Sequence, residues 1–237
     1  MAVLQRYGGV VIMCGRFNIA QTPGLAALFK SLGITIDLPP ARYNIAPTDP
    51  VPLLREDSLD DARWWLTPSW AVAIDQKYSM FNARAETLAS SRAFAKPFRS
   101  QRGIVPMSSF IEWRTESGSK QPWRISNAEH ALAVAALWDV WYGGDEPLLS
   151  CALVTTAAAD AFRPWHSRMP VLLTVSEGKR WLDNSQPIAA DDTLLQPRLK
   201  CRLELAPLPA AVGNARNKSG SLMHPVGEPV HLDSQWS

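Results

Sequence analysis

Nineteen prolines and thirteen glycines punctuate 237 residues, and this spacing limits what the chain can build. Proline withholds a backbone donor and clashes with the preceding helical turn, so short elements and structured loops are expected rather than a helical bundle. Ten tryptophans, a 46% hydrophobic content and 19% charged residues argue against disorder and against a fibrous protein. The length fits one large domain or two small ones with a real core. No apolar run approaches the roughly eighteen residues that span a bilayer. Residues 1–13 lack the apolar stretch and small-residue cleavage site of a secretory signal. A soluble, cytoplasmic protein is expected.

Proline just inside a start and glycine just past an end predict a helix from Thr22-Pro23 to about Gly33. Pro39-Pro40 then breaks the chain. Short strands are predicted at 51–55, 62–66, 103–107, 109–114, 122–126, 131–138, 148–156, 170–175 and 200–206, with helices near 87–94, 157–163 and 177–183. There is no internal repeat, no linker and no strand–helix alternation. The expected fold is one α+β domain with a curved, mainly antiparallel sheet or open β-barrel core and peripheral helices. Residues 1–13 read as a preface, 14–220 as the domain and 221–237 as a C-terminal tail.

Three cysteines, at 14, 151 and 201, offer no Cys-x-x-Cys pair and no disulfide framework, which fits a reducing compartment. Cys151 lies in an apolar strand, and Cys201 shares a period-2 face with Leu199, Leu203 and Leu205, so both read as core. Cys14 has no amphipathic pattern around it and has Arg16 nearby, a cation that favours a thiolate. No His, Cys or Asp pair has ligand spacing, so no metal is expected.

Charge is uneven. Between Arg84 and Arg124 stand eight basic residues against three acids, although the whole chain carries only +2. Phe94, Phe98, Phe110, Trp113 and Trp123 interleave with them. This pattern suits a single-strand track with stacking rings, and equally a solvated face beside core aromatics.

Four clusters carry possible chemistry. If Met13 is the initiator and is removed, Cys14 presents an α-amine and a thiol on adjacent carbons, which together capture an aldehyde as an imine and then a thiazolidine. If Met1 is the start, Cys14 is a mid-chain residue. Asn82, Arg84 and Glu86 would share one face of an extended segment, with Ala83 and Ala85 inward, either orienting a sugar or phosphate oxygen or forming a salt-bridged surface strand. Glu112 sits among apolar neighbours, where burial suits a carboxyl to proton transfer, with pairing to Arg114 or Arg102 the alternative. His166, in a loop before a strand, is an acid–base candidate.

In order along the chain stand Cys14-Gly15-Arg16-Phe17, Arg42-Tyr43-Asn44-Ile45-Ala46-Pro47, Pro68-Ser69-Trp70, Asn82-Ala83-Arg84-Ala85-Glu86-Thr87, Phe110-Ile111-Glu112-Trp113, Thr155-Thr156-Ala157-Ala158-Ala159-Asp160, His166-Ser167-Arg168-Met169-Pro170 and Val212-Gly213-Asn214. This series resembles the SRAP family, the SOS response-associated peptidases or abasic-site processing proteins. The resemblance runs from Met13 to about Gly220. It implies a protein that binds single-stranded DNA containing abasic sites and forms a covalent thiazolidine through its N-terminal cysteine. Cys14 would then be the nucleophile, Asn82 would position the sugar or the amine, and Glu112 and His166 would move protons. Arg16 and Arg84 would hold phosphates and Trp70 would stack or wedge, with Asn44, Thr156 and Asn214 joining them at the DNA. Residues ahead of Cys14 would be absent or removed by autoproteolysis.

A monomer with no cofactor, no metal and no membrane partner is expected, associated with the nucleoid when on DNA. Two other readings remain: a cysteine peptidase using Cys14 with His166 or Glu112, and a non-catalytic single-strand binding module. The first needs no free amine. The second would show a steep salt dependence and no preference for the lesion.

Overall fold

The computed structural model describes residues 15–56, 58–75, 77–116, 118–127 and 129–234. Cys14 and the preface 1–13 lie outside the described residues. The described chain runs through β1 (Phe17–Ile19), α1 (Pro23–Leu32), β2 (Arg42–Ile45), β3 (Pro50–Arg55), β4 (Ser58–Trp64) and β5 (Asn82–Arg84). It continues with α2 (Ala95–Ser100), β6 (Arg102–Met107), β7 (Ser109–Glu116), β8 (Ser119–Asn127), β9 (Leu132–Trp141) and β10 (Leu148–Ala157). Then come β11 (Arg168–Pro170), β12 (Leu172–Leu173), α3 (Val175–Leu182), β13 (Leu203–Pro207) and β14 (Val230–Leu232). Short 3-10 turns at Ala85–Thr87, Ala210–Gly213 and Gly220–Met223 matter below.

β10, β4, β3, β6 and β9 pair in that order, and β9 pairs back onto β10, closing a barrel that leaves none of the five as an open edge. β5 and β11 add to β10, and β12 to β9. Pairing is antiparallel throughout except where β10 meets β4 and β5. A second sheet runs β14-β13-β8-β7-β1-β2. Phe17, Ile19, Phe110, Ile125, Leu203 and Leu205 join its inner face to the main core. On the outer face Ile111 meets Leu208, Val212, Leu222 and Met223. The architecture is the expected single α+β domain with mainly antiparallel strands, and the barrel is closed rather than open. The segment from 221, set apart above as a tail, supplies Leu222, Met223 and the edge strand β14.

Local signals explain the helices that match. Thr22 caps α1 by accepting from Leu25 N–H, and Gly33 ends it at φ 84°, a region glycine enters at no steric cost. Thr174 and Glu177 form a reciprocal capping box that starts α3 at Val175, cutting short the strand predicted to 175. Two predicted helices are absent. Residues 88–94 are turns, with Ser90 Oγ bonded to Thr87 carbonyl in competition with a helix, and the helix forms instead at α2, where Pro97 fits the first turn. Residues 157–163 cannot propagate a helix into Pro164, and Ala157 is already paired with Arg168 across the sheet. Among the described residues no helix is long and apolar enough to cross a membrane.

Candidate active site

Alternation along β7 puts Phe110, Glu112 and Arg114 on one face and Ile111 and Trp113 on the other. Glu112 lies opposite Trp123 of β8 and is 3% exposed. Its neighbours on that face grip the turn before β11. Phe110 packs on Phe162 at 6.1 Å between ring centroids, Trp123 meets Trp165 edge-on at 6.2 Å, and the Arg114 guanidinium stacks over Trp165 at 5.3 Å. The same turn carries His166. Both the backbone nitrogen and the carbonyl of Arg168 lie 3.2 Å from His166 Nδ1, so the backbone orients the ring and leaves Nε2 for other work.

The Asn82–Arg84 strand is fixed to this region by β10, where Asn82 is in register with Leu153 and Arg84 with Thr155. Ala83 and Ala85 are buried and Arg84 is exposed, as the alternation predicted. Glu86 does not pair with Arg84. It receives both Nη1 and Nη2 of Arg168, at 2.8 and 3.0 Å, and the Ala157 N–H at 3.2 Å. Arg168 Nη2 also donates to the Thr155 carbonyl at 2.8 Å. Asn82, Arg84, Glu112 and His166 are thus carried by elements that Arg168 and the aromatic contacts tie together. Sequence reasoning gave Arg168 no role, although it stands two residues after His166 in the same motif.

Arg16 immediately precedes β1, its carbonyl accepting from Ile111 N–H of β7 at 2.9 Å. Its guanidinium donates to Asn44 Oδ1 at 2.7 Å and to the Val212 carbonyl at 3.1 Å, and lies 5.7 Å from the centre of the Trp113 ring. Burial lowers its pKa, against the opposing field of Asp49, and a guanidinium so placed remains a cation. Asn44, expected at the DNA, is 0% exposed and bonded inside the protein. Thr156 is likewise buried, in register with Met169, and it is its neighbour Thr155 that engages Arg168. Asn214 is exposed, with its carbonyl accepting from Asn44.

Trp70 projects into solvent, 51% exposed, with the Arg92 guanidinium 4.1 Å from its ring centre. Its turn is pinned from three sides: Thr67 N–H donates to Ser150 Oγ, Ser69 N–H to Asp139, and Trp141 Nε1 to the Ala71 carbonyl. Ser150 is three to five residues along β10 from Leu153 and Thr155, a separation of roughly 10–17 Å at strand spacing.

The basic, aromatic stretch divides on folding. Phe94, Phe98, Phe110 and Trp123 are core, so of the two readings of this stretch these four rings follow the one that makes them ordinary core aromatics. Arg102 is fully buried, donating to the carbonyls of Trp181, Phe98, Arg99, Asp183 and Gln186, and leaves the basic surface too. Arg84, Arg92, Lys96, Arg99 and Lys120 remain exposed. Cys151 is buried as expected; Cys201 is partly buried and precedes β13 rather than lying in it. Among the described residues no group of three or more His, Cys, Asp or Glu is placed to hold a metal ion. Two cavities of about 440 and 410 Å³ open around Asn127, Glu129, His130 and Ala131, and neither is lined by Asn82, Glu112 or His166.

Comparison with known proteins matches residues 13–215 to the family model described as SOS response associated peptidase (SRAP). The abasic site processing protein YoqW of Bacillus subtilis (strain 168) is 34% identical over 224 residues, covering 89% of this chain and 99% of its own. The abasic site processing protein YedK of Escherichia coli (strain K12) is 30% identical over 228 residues, covering 90% and 100%. A crystal structure of a protein from Bacteroides thetaiotaomicron has the same fold, with a TM-score of 0.71 at 22% identity over 81% of this chain and 91% of that one.

Proposed function

This chain belongs to the SOS response associated peptidase family, and on that premise we propose that it processes abasic sites by capturing their ring-opened aldehyde, in single-stranded DNA, on Cys14. The supporting observation is the convergence on one end of β1. Gly15 opens the described chain, and the Arg16 carbonyl accepts from Ile111 N–H of β7. The described chain thus begins beside the strand that buries Glu112.

The chemistry requires Cys14 to be N-terminal. Its α-amine, with an ordinary pKa of about 7.7–8.0, is partly neutral at physiological pH. The amine adds to the aldehyde carbon, the carbinolamine loses water to give an imine, and the thiolate closes on the imine carbon. A proton returns to nitrogen, so the adduct weighs the sum of protein and DNA less one water. Glu112 passes protons to and from the carbinolamine oxygen and nitrogen, and His166 Nε2 serves the sugar hydroxyl as the ring opens. Asn82 orients the sugar against the amine. Arg16 and Arg84 meet flanking phosphates, and Trp70, backed by Arg92, stacks on a base a few nucleotides away. Initiation at Met13 with loss of that residue, or self-cleavage by Cys14, generates the free amine. In this reading the protein works as a monomer in the cytoplasm and joins the nucleoid at lesions.

Intact-mass spectrometry tests the proposal. Protein beginning at Cys14 should gain one oligonucleotide mass less water with abasic single-stranded DNA, and none with intact DNA or after Cys14→Ala. An adduct that survives Cys14→Ala would refute the assignment. Slow cleavage before Cys14 in the full chain, abolished by Cys14→Ala, would establish the autopeptidase.

A further inference from the structure

Asn44 has no surface to offer DNA, yet it is bonded at every polar atom. Its Nδ2 lies 3.0, 2.9 and 2.9 Å from the carbonyls of Val212, Asn214 and Asn217, and its Oδ1 accepts from Arg16 at 2.7 Å. Its backbone N–H donates to Asn18 Oδ1 at 2.8 Å and its carbonyl accepts from Lys218 Nζ at 2.9 Å. The backbone is left-handed, at φ 50°, a region that asparagine tolerates better than most residues and that persists where the surroundings require it.

These bonds have a direction. On one side is the segment from Val212 to Lys218, which lies over the outer face of the second sheet beside Ile111. On the other is Arg16, itself bonded to the carbonyls of Val212 and Gly213. Three carbonyls converging on one amide select donors, so a carboxylate of the same shape would be repelled there. The guanidinium on the opposite oxygen is one residue from Gly15.

We infer that Asn44 is a positioning residue for the proposed reaction: it clamps the 212–218 segment to Arg16 and so holds the start of the described chain, Gly15-Arg16, against β7. The inference rests on the proposed crosslinking reaction. Displacing a reacting group by about 1 Å can cost on the order of 10²-fold in rate, whereas of the proposed reversible DNA contacts Arg84, Trp70 and Arg92 do not pass through Asn44 and only Arg16 does.

The test uses protein beginning at Cys14. Asn44→Gly keeps the left-handed backbone without strain and removes the side chain; Asn44→Asp keeps the shape and the Arg16 partner but loses the donors. Single-turnover crosslinking to an abasic oligonucleotide is compared with reversible binding of the same oligonucleotide without the lesion. Asn44→Gly is expected to crosslink about tenfold slower or worse, with affinity for intact DNA within roughly twofold of wild type. Asn44→Asp should be slowed too and recover, relative to wild type, as pH falls and its protonated form regains one donor. Combining Asn44→Gly with Arg16→Lys should slow the reaction less than the product of the two single effects.

A wild-type rate in Asn44→Gly, or rate and affinity falling in equal proportion, would overturn the inference. So would failure of both variants to fold, which would assign Asn44 to folding alone. Wild-type protein that forms no crosslink would overturn the proposed function, and this inference with it. Wild type that crosslinks beside an equally fast Asn44→Gly would overturn only the inference.

Discussion

Arg168 grips both carboxylate oxygens of Glu86 with its side chain while its backbone holds Nδ1 of His166. One residue therefore joins the proposed acid–base group to the strand that presents Asn82 and Arg84. The two pieces lie 82 positions apart in sequence at the Arg168–Glu86 contact, so the connection exists only after the barrel closes.

Burial pushes the Glu86 carboxyl up, but the hydrogen bonds and charge of Arg168, with the Ala157 N–H, outweigh it and the net shift is downward. A carboxyl with a lowered folded pKa stabilises the fold above its unfolded pKa and loses that contribution as pH falls through the folded one. Glu86→Gln should therefore remove part of the acid-limb loss of stability. Urea unfolding of both proteins between about pH 2 and 6 checks this, with their curves expected to converge at the acid end.

Arg102 predicts a large effect with no catalytic cause. Its buried guanidinium answers five carbonyls at the junction of α2, β6 and the chain after α3. Arg102→Met should cost about 3 kcal/mol or more in unfolding free energy, because the carbonyls keep their burial and lose their donor. Equilibrium denaturation measures it.

Trp70 predicts the reverse. The ring is half exposed, so Trp70→Ala should leave the melting temperature nearly unchanged, yet weaken single-strand binding by about 1–3 kcal/mol. Trp70→Phe should recover part of the loss. Titrations of a labelled oligonucleotide, with melts run in parallel, separate the two effects.

Burial pushes the Cys151 thiol far up, and burial with the charge of Glu129 pushes Cys201 up to about 12. Neither is a thiolate near neutral pH, so both should resist iodoacetamide in the native protein and react in urea. Peptide mapping of the alkylated protein should find the carbamidomethyl group on Cys14 alone before denaturation.

Much of the local structure was legible in advance because its causes are short-range. Thr22, Pro23 and Gly33 bracket α1, and the alternation at 82–86 placed Ala83 and Ala85 inward. Elsewhere local propensity lost to context. The helix predicted at 157–163 is displaced because Ala157 pairs with Arg168 and Pro164 follows, and the one predicted at 87–94 forms after Phe94 instead.

The candidate site divides the same way. The ordered motifs supplied the candidate residues, and the apolar flanks of Glu112 pointed to its burial. Which residues face outward was a different matter: Arg102 and Arg84 are both arginines in one basic stretch, and one is enclosed by carbonyls while the other meets solvent.

The sequence by itself determined the element boundaries set by caps and alternation, the α+β class and the candidate residues of the site. Only the tertiary structure decided that Asn44 is buried and bonded to the 212–217 carbonyls, that Arg168 links Glu86 to His166, and that Trp70 alone of the candidate stacking rings stands out in solvent. The physical reason is range. A cap or a pleat is satisfied within a few residues, whereas a buried amide or guanidinium takes its partners from wherever the fold brings a carbonyl, 168 positions away for Asn44 and 196 for Arg16.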